Sequence, residues 1–150
     1  MKNKTIIKQL CVAYAMELET VSNYIAASVN LDGVRSEVIK KALAADVLVE
    51  VQHAQQLASR IKTIGGLVPG SLDLPRGQKL LQPRKDTTDV VSVIKGVIAA
   101  EESAVAQYNK LIRLCEGVDY VTQDMVIGIL GGEEDHRREF IGFLKEYQKG

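Results

Sequence analysis

The chain has no tryptophan, and only two histidines, two cysteines and three prolines occur in its 150 residues. It also lacks an excess of either charge: Lys and Arg total 19, as do Asp and Glu. That balance gives no basic surface for nucleic acid, so nucleic-acid binding is not expected. Lys2, Lys4 and Lys8 form a small basic group that reads as a solvated helix end. No stretch of 18 apolar residues exists, so no membrane span is expected. Charge at Lys2 and the early Glu17 and Glu19 leave no room for a signal peptide. Cys11 and Cys115 have no Cys-x-x-Cys spacing and read as free buried thiols in a reducing cytosol. The expected location is cytoplasmic. With 46% hydrophobic and 25% charged residues, the remaining picture is one soluble globular domain, residues 1–150.

Apolar residues recur with helical period in four stretches. The first runs from about Asn3 to Asn30 and stops at Leu31-Asp32-Gly33. The second opens near Ser36, a good N-cap residue, and stops at Gly65-Gly66. The third begins around the caps Asp86-Thr87-Thr88 and stops at Gly117, and the fourth begins near Asp119 or Thr122 and runs almost to the C-terminus. The first and third connections are short and imply antiparallel helix pairs. The middle one, about Gly66 to Lys85, contains all three prolines, Pro69, Pro75 and Pro83. About 20 extended residues reach ~66 Å, more than the ~42 Å of a 28-residue helix, so this segment can return the chain to the far end of a bundle. The predicted fold is all-α, a four-helix bundle with one long crossover between the second and third helices.

Both histidines stand in the same local pattern, Glu50-Val51-Gln52-His53 and Glu133-Glu134-Asp135-His136. On a helix, residues three apart share a face, so each pattern aims a carboxylate and an imidazole at one point. A Glu stands three residues before a given His by chance roughly 7% of the time, and before both about once in 200. The two halves also repeat. Glu17 and Tyr24 match Glu101 and Tyr108 in spacing, and Glu50 follows Glu17 by 33 residues as Glu133 follows Glu101 by 32.

These polar residues fall on the apolar seams. The first helix reads Ile7, Leu10, Tyr14, Glu17, Val21, Tyr24, Ser28, and the second Ile39, Leu43, Asp46, Glu50, His53, Leu57, Ile61, Ile64. The third reads Ile94, Ile98, Glu101, Val105, Tyr108, Ile112, Cys115, and the fourth Val126, Ile129, Glu133, His136, Phe140, Phe143, Tyr147. Glu19, Glu102 and Glu134 lie off the seams and are expected in solvent. Four inward carboxylates without compensation would cost several kcal/mol each, and no Lys or Arg shares the seams at that level. Arg60 and Arg137 flank them as solvated or outer groups. Two divalent cations would balance the four charges, and oxygen-rich sites with one nitrogen per ion suit iron or manganese better than structural zinc.

One Glu on each of two helices and Glu-x-x-His on the other two resembles the ferritin-like di-iron carboxylate constellation. Within that superfamily the chain is most similar to the bacterioferritins: Glu17-Leu18 with Tyr24, Glu50-Val51-Gln52-His53-Ala54 through Arg60-Ile61 to Gly65-Gly66, then Glu101 and Glu133-Glu134-Asp135-His136. The resemblance departs at Val51, where that family places a haem-ligating Met, so no haem is expected. The chain also ends 14 residues after His136, too soon for that family's fifth helix, which leaves a cage, a smaller dodecamer and other homo-oligomers open.

The resemblance implies two iron ions bound by Glu17, Glu50, His53, Glu101, Glu133 and His136, with Glu50 and Glu133 bridging, and ferroxidase chemistry in which O2 or H2O2 oxidises Fe(II) for iron storage. Alternatives are a rubrerythrin-like di-iron peroxidase, against which the missing Cys-x-x-Cys module weighs, and a non-enzymatic metal-binding or DNA-protecting bundle. Tyr24 and Tyr108 are expected to hydrogen-bond a bridging Glu or donate an electron. Asp46 reads as an access-path carboxylate or the end of a cross-bundle hydrogen bond. Gly128, Gly131 and Gly132 each cost about 1 kcal/mol in a helix. Admission of substrate, a π-bulge and close packing of a neighbour would each account for them. Cys11 and Cys115, ~12 Å apart along the bundle axis, are too distant for a disulfide.

Overall fold

Four helices account for most of the chain: α1 (Lys2–Asn30), α2 (Glu37–Thr63), α3 (Val90–Cys115) and α4 (Tyr120–Tyr147). The computed structural model describes residues 2–149, without the side chain of Lys2, and no strand occurs among them. The predicted all-α bundle is observed. α1 packs along α2, α3 along α4, and α1 also meets α3. The helix ends follow from local chemistry. Gly65 and Gly117 sit at φ +94° and +70°, left-handed conformations that let a helix stop without Cβ strain. Asp119 caps α4 by accepting the Thr122 N–H at 3.0 Å.

Two expected caps differ. Asp89, not Asp86, caps α3 by accepting the Ser92 N–H at 3.2 Å. Asp86 instead closes its own turn, accepting from the Thr88 N–H at 2.9 Å and the Thr88 hydroxyl at 2.6 Å. Ser36 stands at the start of α2, but its hydroxyl donates to the Asp32 carbonyl at 2.7 Å rather than accepting from the helix. In both places a neighbouring turn competes successfully for the side chain.

The crossover between Thr63 and Val90 is anchored rather than loose. Glu19 accepts N–H groups of Gly77 and Gln78, all at 3.0 Å, and the Gln78 amide reaches Thr20 at 2.6 Å. Leu81 is buried against α3. Gly96 permits this approach, because a Cβ there would meet the Leu80 carbonyl oxygen at 2.4 Å. Glu19 is therefore not a solvated acid as its position on the helix wheel implied: the crossover lies over the outer side of α1 and α3. The same cover explains why α1 also buries Ala15 and Asn23.

The most buried line of α1 is Ile6, Leu10, Ala13, Glu17, Thr20, Tyr24, while Ile7, Tyr14 and Val21 are half-buried. This is a rotation of one residue from the predicted seam around fixed points at Leu10, Glu17 and Tyr24. Two apolar clusters fill the bundle, one containing Leu10, Leu57, Leu111 and Val126, the other Leu43, Ile94, Leu81 and Phe140. Cys115 is fully buried and Cys11 half-buried, and both are free. Lys4 and Lys8 are exposed as expected; the Lys2 side chain lies outside the described residues.

Candidate metal centre

Between the two apolar clusters lies a polar layer. Glu17, Glu50, Glu101 and Glu133 are each no more than 2% exposed, and His53 and His136 are largely buried beside them. α1 and α3 each supply one Glu and α2 and α4 each a Glu and a His one turn apart, all near mid-helix and placed inward by steps of three and four residues that continue the apolar seams. Their ligand atoms form two groups. Glu17, Glu50, His53 and Glu133 offer atoms within 4.8 Å of one another, and so do Glu50, Glu101, Glu133 and His136. Glu50 and Glu133 belong to both. All six residues named from the sequence are thus brought together, and Tyr24 joins them.

The hydrogen bonds within the layer are sparse. Tyr24 on α1 donates to Glu101 on α3, and Tyr108 on α3 donates to Glu17 on α1 at 2.6 Å. The tyrosines therefore hold the outer carboxylates, not the bridging pair expected from the sequence. The exchange is reciprocal, as the repeated spacing of the two halves requires. His53 Nδ1 lies 3.0 Å from Glu133, 3.5 Å from Glu50 and 3.6 Å from Glu17. His136 Nδ1 lies 3.4 Å from Glu50, and its Nε2 lies 3.4 Å from Asp46. Asp46 thus approaches His136 across the bundle without a hydrogen bond, and its Oδ2 is buried with no hydrogen-bond partner among the described residues. Both Glu50 oxygens, one oxygen each of Glu17 and Glu101, and His136 Nδ1 are buried with no hydrogen-bond partner among the described residues.

That pattern decides the fit to cations. A buried acceptor without a donor costs about 1–3 kcal/mol, more when charged. Here several point at common centres, and four carboxylates with two imidazoles form an oxygen-rich set for two divalent ions. Without ions the cluster holds protons instead. Burial, with the neighbouring Glu50, pushes the Glu17 pKa up to about 8. Burial and Glu133 push Glu101 to about 10. Burial, with the charges of Glu17 and Glu50, lifts Glu133 to about 8 against the hydrogen bond with His53 and the nearness of Glu101. Burial also works on Glu50, but the close approach of Glu17, His136 and His53 outweighs it and holds Glu50 well below the usual carboxylate range. Burial disfavours a charged His53, yet Glu133, Glu17 and Glu50 carry it up to about 12. The nearby Glu50 carboxylate raises His136 to about 9, against burial and with help from Asp46.

The other flanking groups lie elsewhere. Arg60 binds Thr122 at 2.8 Å and Asp119 at 3.0 Å, tying the end of α2 to the start of α4. Glu134 is exposed beside Arg137. Gly131 and Gly132 are not at a π-bulge, since α4 is α-helical throughout.

A family model for the ferritin-like domain matches residues 7–149. The chain belongs to the ferritin-like family. This ferritin-like chain is 27% identical over 139 residues to the DNA protection during starvation protein of Pyrococcus furiosus, covering 90% of its own length and 74% of the relative's. Its fold matches a ferritin-like, diiron-carboxylate protein of Bacillus anthracis with a TM-score of 0.85 at 20% identity, over 96% of this chain and 98% of that one. No helix of this ferritin-like chain is long and apolar enough to cross a membrane among the described residues.

Proposed function

We propose that the protein is a ferroxidase that takes up Fe(II) at the dinuclear centre and passes its electrons to O2 or H2O2, serving iron storage and detoxification. The reading treats residues 1–150 as one domain that assembles with copies of itself in the cytosol. The observation that carries it is the sharing of Glu50 and Glu133 between two four-residue ligand groups whose buried oxygens are short of donors. Glu17 and His53 would complete one ion's set, Glu101 and His136 the other's. Manganese is the competing occupant. When bound, a pair of iron ions supplies the two electrons that reduce O2 to H2O2, or H2O2 to water.

The chain's residues do the rest. Loading requires the protons on Glu17, Glu101, Glu133 and the imidazoles to leave, because only deprotonated groups bind metal. Tyr24 and Tyr108 hold Glu101 and Glu17 in place, each leaving one oxygen toward the centre. The apolar clusters on either side keep bulk water from the charged layer. Anaerobic Fe(II) titration followed by O2 or H2O2, read by absorbance, tests the assignment. Glu50→Ala should lower the initial oxidation rate by more than about tenfold, since it removes a ligand common to both ions. Equal rates in wild type and Glu50→Ala would reject the proposal. Faster oxidation by O2 than by H2O2 would separate it from a rubrerythrin-like peroxidase.

The Pyrococcus relative's name favours a second reading, protection of DNA. With 19 basic and 19 acidic residues, protection by removing Fe(II) and peroxide fits this chain better than coating the duplex. A gel-shift assay at low salt distinguishes the two, retardation of DNA favouring the coating.

A further inference from the structure

Three glycines in α4 have no backbone reason to be there. Gly128, Gly131 and Gly132 lie within a regular helix, none has the positive φ that favours glycine, and glycine is a poor helix former. A Cβ at Gly128 or Gly131 would meet nothing within 4 Å, so close packing within the chain does not explain those two either. A Cβ at Gly132 would stand 3.7 Å from His53 Cε1 and 3.8 Å from its Nε2. Two of the three share a face: Asp124, Gly128 and Gly132 are four residues apart, one above the other along α4.

That face borders a cavity. α2 packs on α1 and α4 on α3, while the backbones of α2 and α4 stay apart. In the gap between them lies a cavity of ≈ 390 Å3 lined by Gln52, His53 and Gln56 from α2 and Asp124, Met125, Gly128 and Ile129 from α4. His53 is its inner wall. Behind the ring, Glu17 Oε2 and Glu50 Oε2 lie 3.6 and 3.5 Å from His53 Nδ1, and both are buried oxygens without hydrogen-bond partners. Asp124, which lines the same cavity, is exposed to solvent. The cavity is therefore lined by an exposed carboxylate, two glutamine side chains and the imidazole that separates it from the unpartnered acceptors of the centre.

We propose that the α2–α4 crevice is the way in for divalent cations, with Asp124 collecting the ion at the mouth and the absent side chain of Gly128 keeping the passage to His53 open. The proposal rests on the dinuclear reading and adds its route. A carboxylate at the mouth of a cleft raises the local cation concentration and the association rate, an effect that salt screens. Gly128 accepts poorer helix stability at the one position where a side chain would narrow the passage. Gly131 and Gly132 lie off the cavity lining; Gly132 only backs the His53 ring, and Gly131 receives no account from this proposal.

Co(II), which binds without being oxidised, separates access from chemistry. Its uptake by metal-free protein can be followed by stopped-flow absorbance, with affinity measured by equilibrium titration and folding by thermal melting. Gly128→Leu should slow uptake by about fivefold or more at nearly unchanged affinity, and should melt at or above the wild-type temperature because it removes a helix-weakening residue. Gly131→Leu, the same change beside the passage, should take up Co(II) at the wild-type rate. Asp124→Asn should slow uptake by roughly threefold at low salt and hardly at all at high salt. Uptake equally fast in wild type, Gly128→Leu and Asp124→Asn would overturn the route while leaving the di-iron reading intact. Wild-type protein that binds no Co(II) and oxidises no Fe(II) would overturn both.

Discussion

Tyr24 and Tyr108 show how much a single hydroxyl settles in this layer. Each is fully buried, and each donates to the outer carboxylate of the opposite half. Tyr24→Phe would leave Glu101, and Tyr108→Phe would leave Glu17, without a protein donor. Each variant should lose about 1–3 kcal/mol of stability in the metal-free state, and the pseudo-symmetry makes the two losses similar; urea unfolding with a chelator present measures both. A loss at one tyrosine and none at the other would show that the halves are not equivalent. The cluster of carboxylates and imidazoles was legible because Glu-x-x-His is a local spacing that a helix converts directly into shared direction. The tyrosines' partners were not, because whether Tyr24 meets a Glu on α2, α3 or α4 depends on cross-bundle register, which no local spacing encodes. Glu19 was misplaced for the same reason: its partners, Gly77 and Gln78, are 58 and 59 residues away.

At the scale of elements, the four helices and their Gly stops were readable from period and punctuation. The crossover was readable only as a length that could span the bundle. It has no periodicity to read, and it holds its place through backbone contacts. Gly96 is the clearest case. An added methyl would meet the Leu80 carbonyl at 2.4 Å, and backbone yields less readily than a side chain tip. Gly96→Ala should cost about 1–3 kcal/mol despite alanine's better helix propensity, and thermal melting against wild type would show it. A gain in stability instead would mean that the crossover shifts at little cost. The crossover also explains why α3 buries residues over most of its circumference, beyond the single stripe its sequence suggested.

Taken as a whole, the molecule is a bundle with a charged layer between two apolar clusters, and that layer makes its stability depend on pH and metal. Glu17 and Glu133 rise to about 8 and Glu101 to about 10 in the metal-free fold, from the ordinary glutamate value of 4.5. Groups with a raised folded pKa contribute stability that is fully present below the unfolded value and lost as pH climbs through the folded one. His53 and His136, raised from 6.5 to about 12 and about 9, act in the same direction at higher pH. Glu50 is lowered and acts in the opposite direction, losing its contribution only as pH falls below the unfolded carboxylate range. The metal-free protein should therefore melt at progressively lower temperature from about pH 5 to pH 8. Added Mn(II) or Fe(II) under anaerobic conditions should recover most at the alkaline end, where fewest protons must be displaced. Melting curves with chelator and with metal across that range check this, and a metal-free melting temperature that rises with pH would contradict it.

The tyrosine bonds divide the carboxylates into moored and unmoored. Glu17 and Glu101 each have one oxygen tethered to a phenol on another helix. Glu50 has neither oxygen tied by a hydrogen bond, and the bond holding Glu133 is to a ring nitrogen of His53, itself a proposed ligand. Whatever adjustment the centre makes as its occupants change size or charge therefore falls to α2 and α4, whose carboxylates are at liberty to swing, while α1 and α3 serve as the fixed berths.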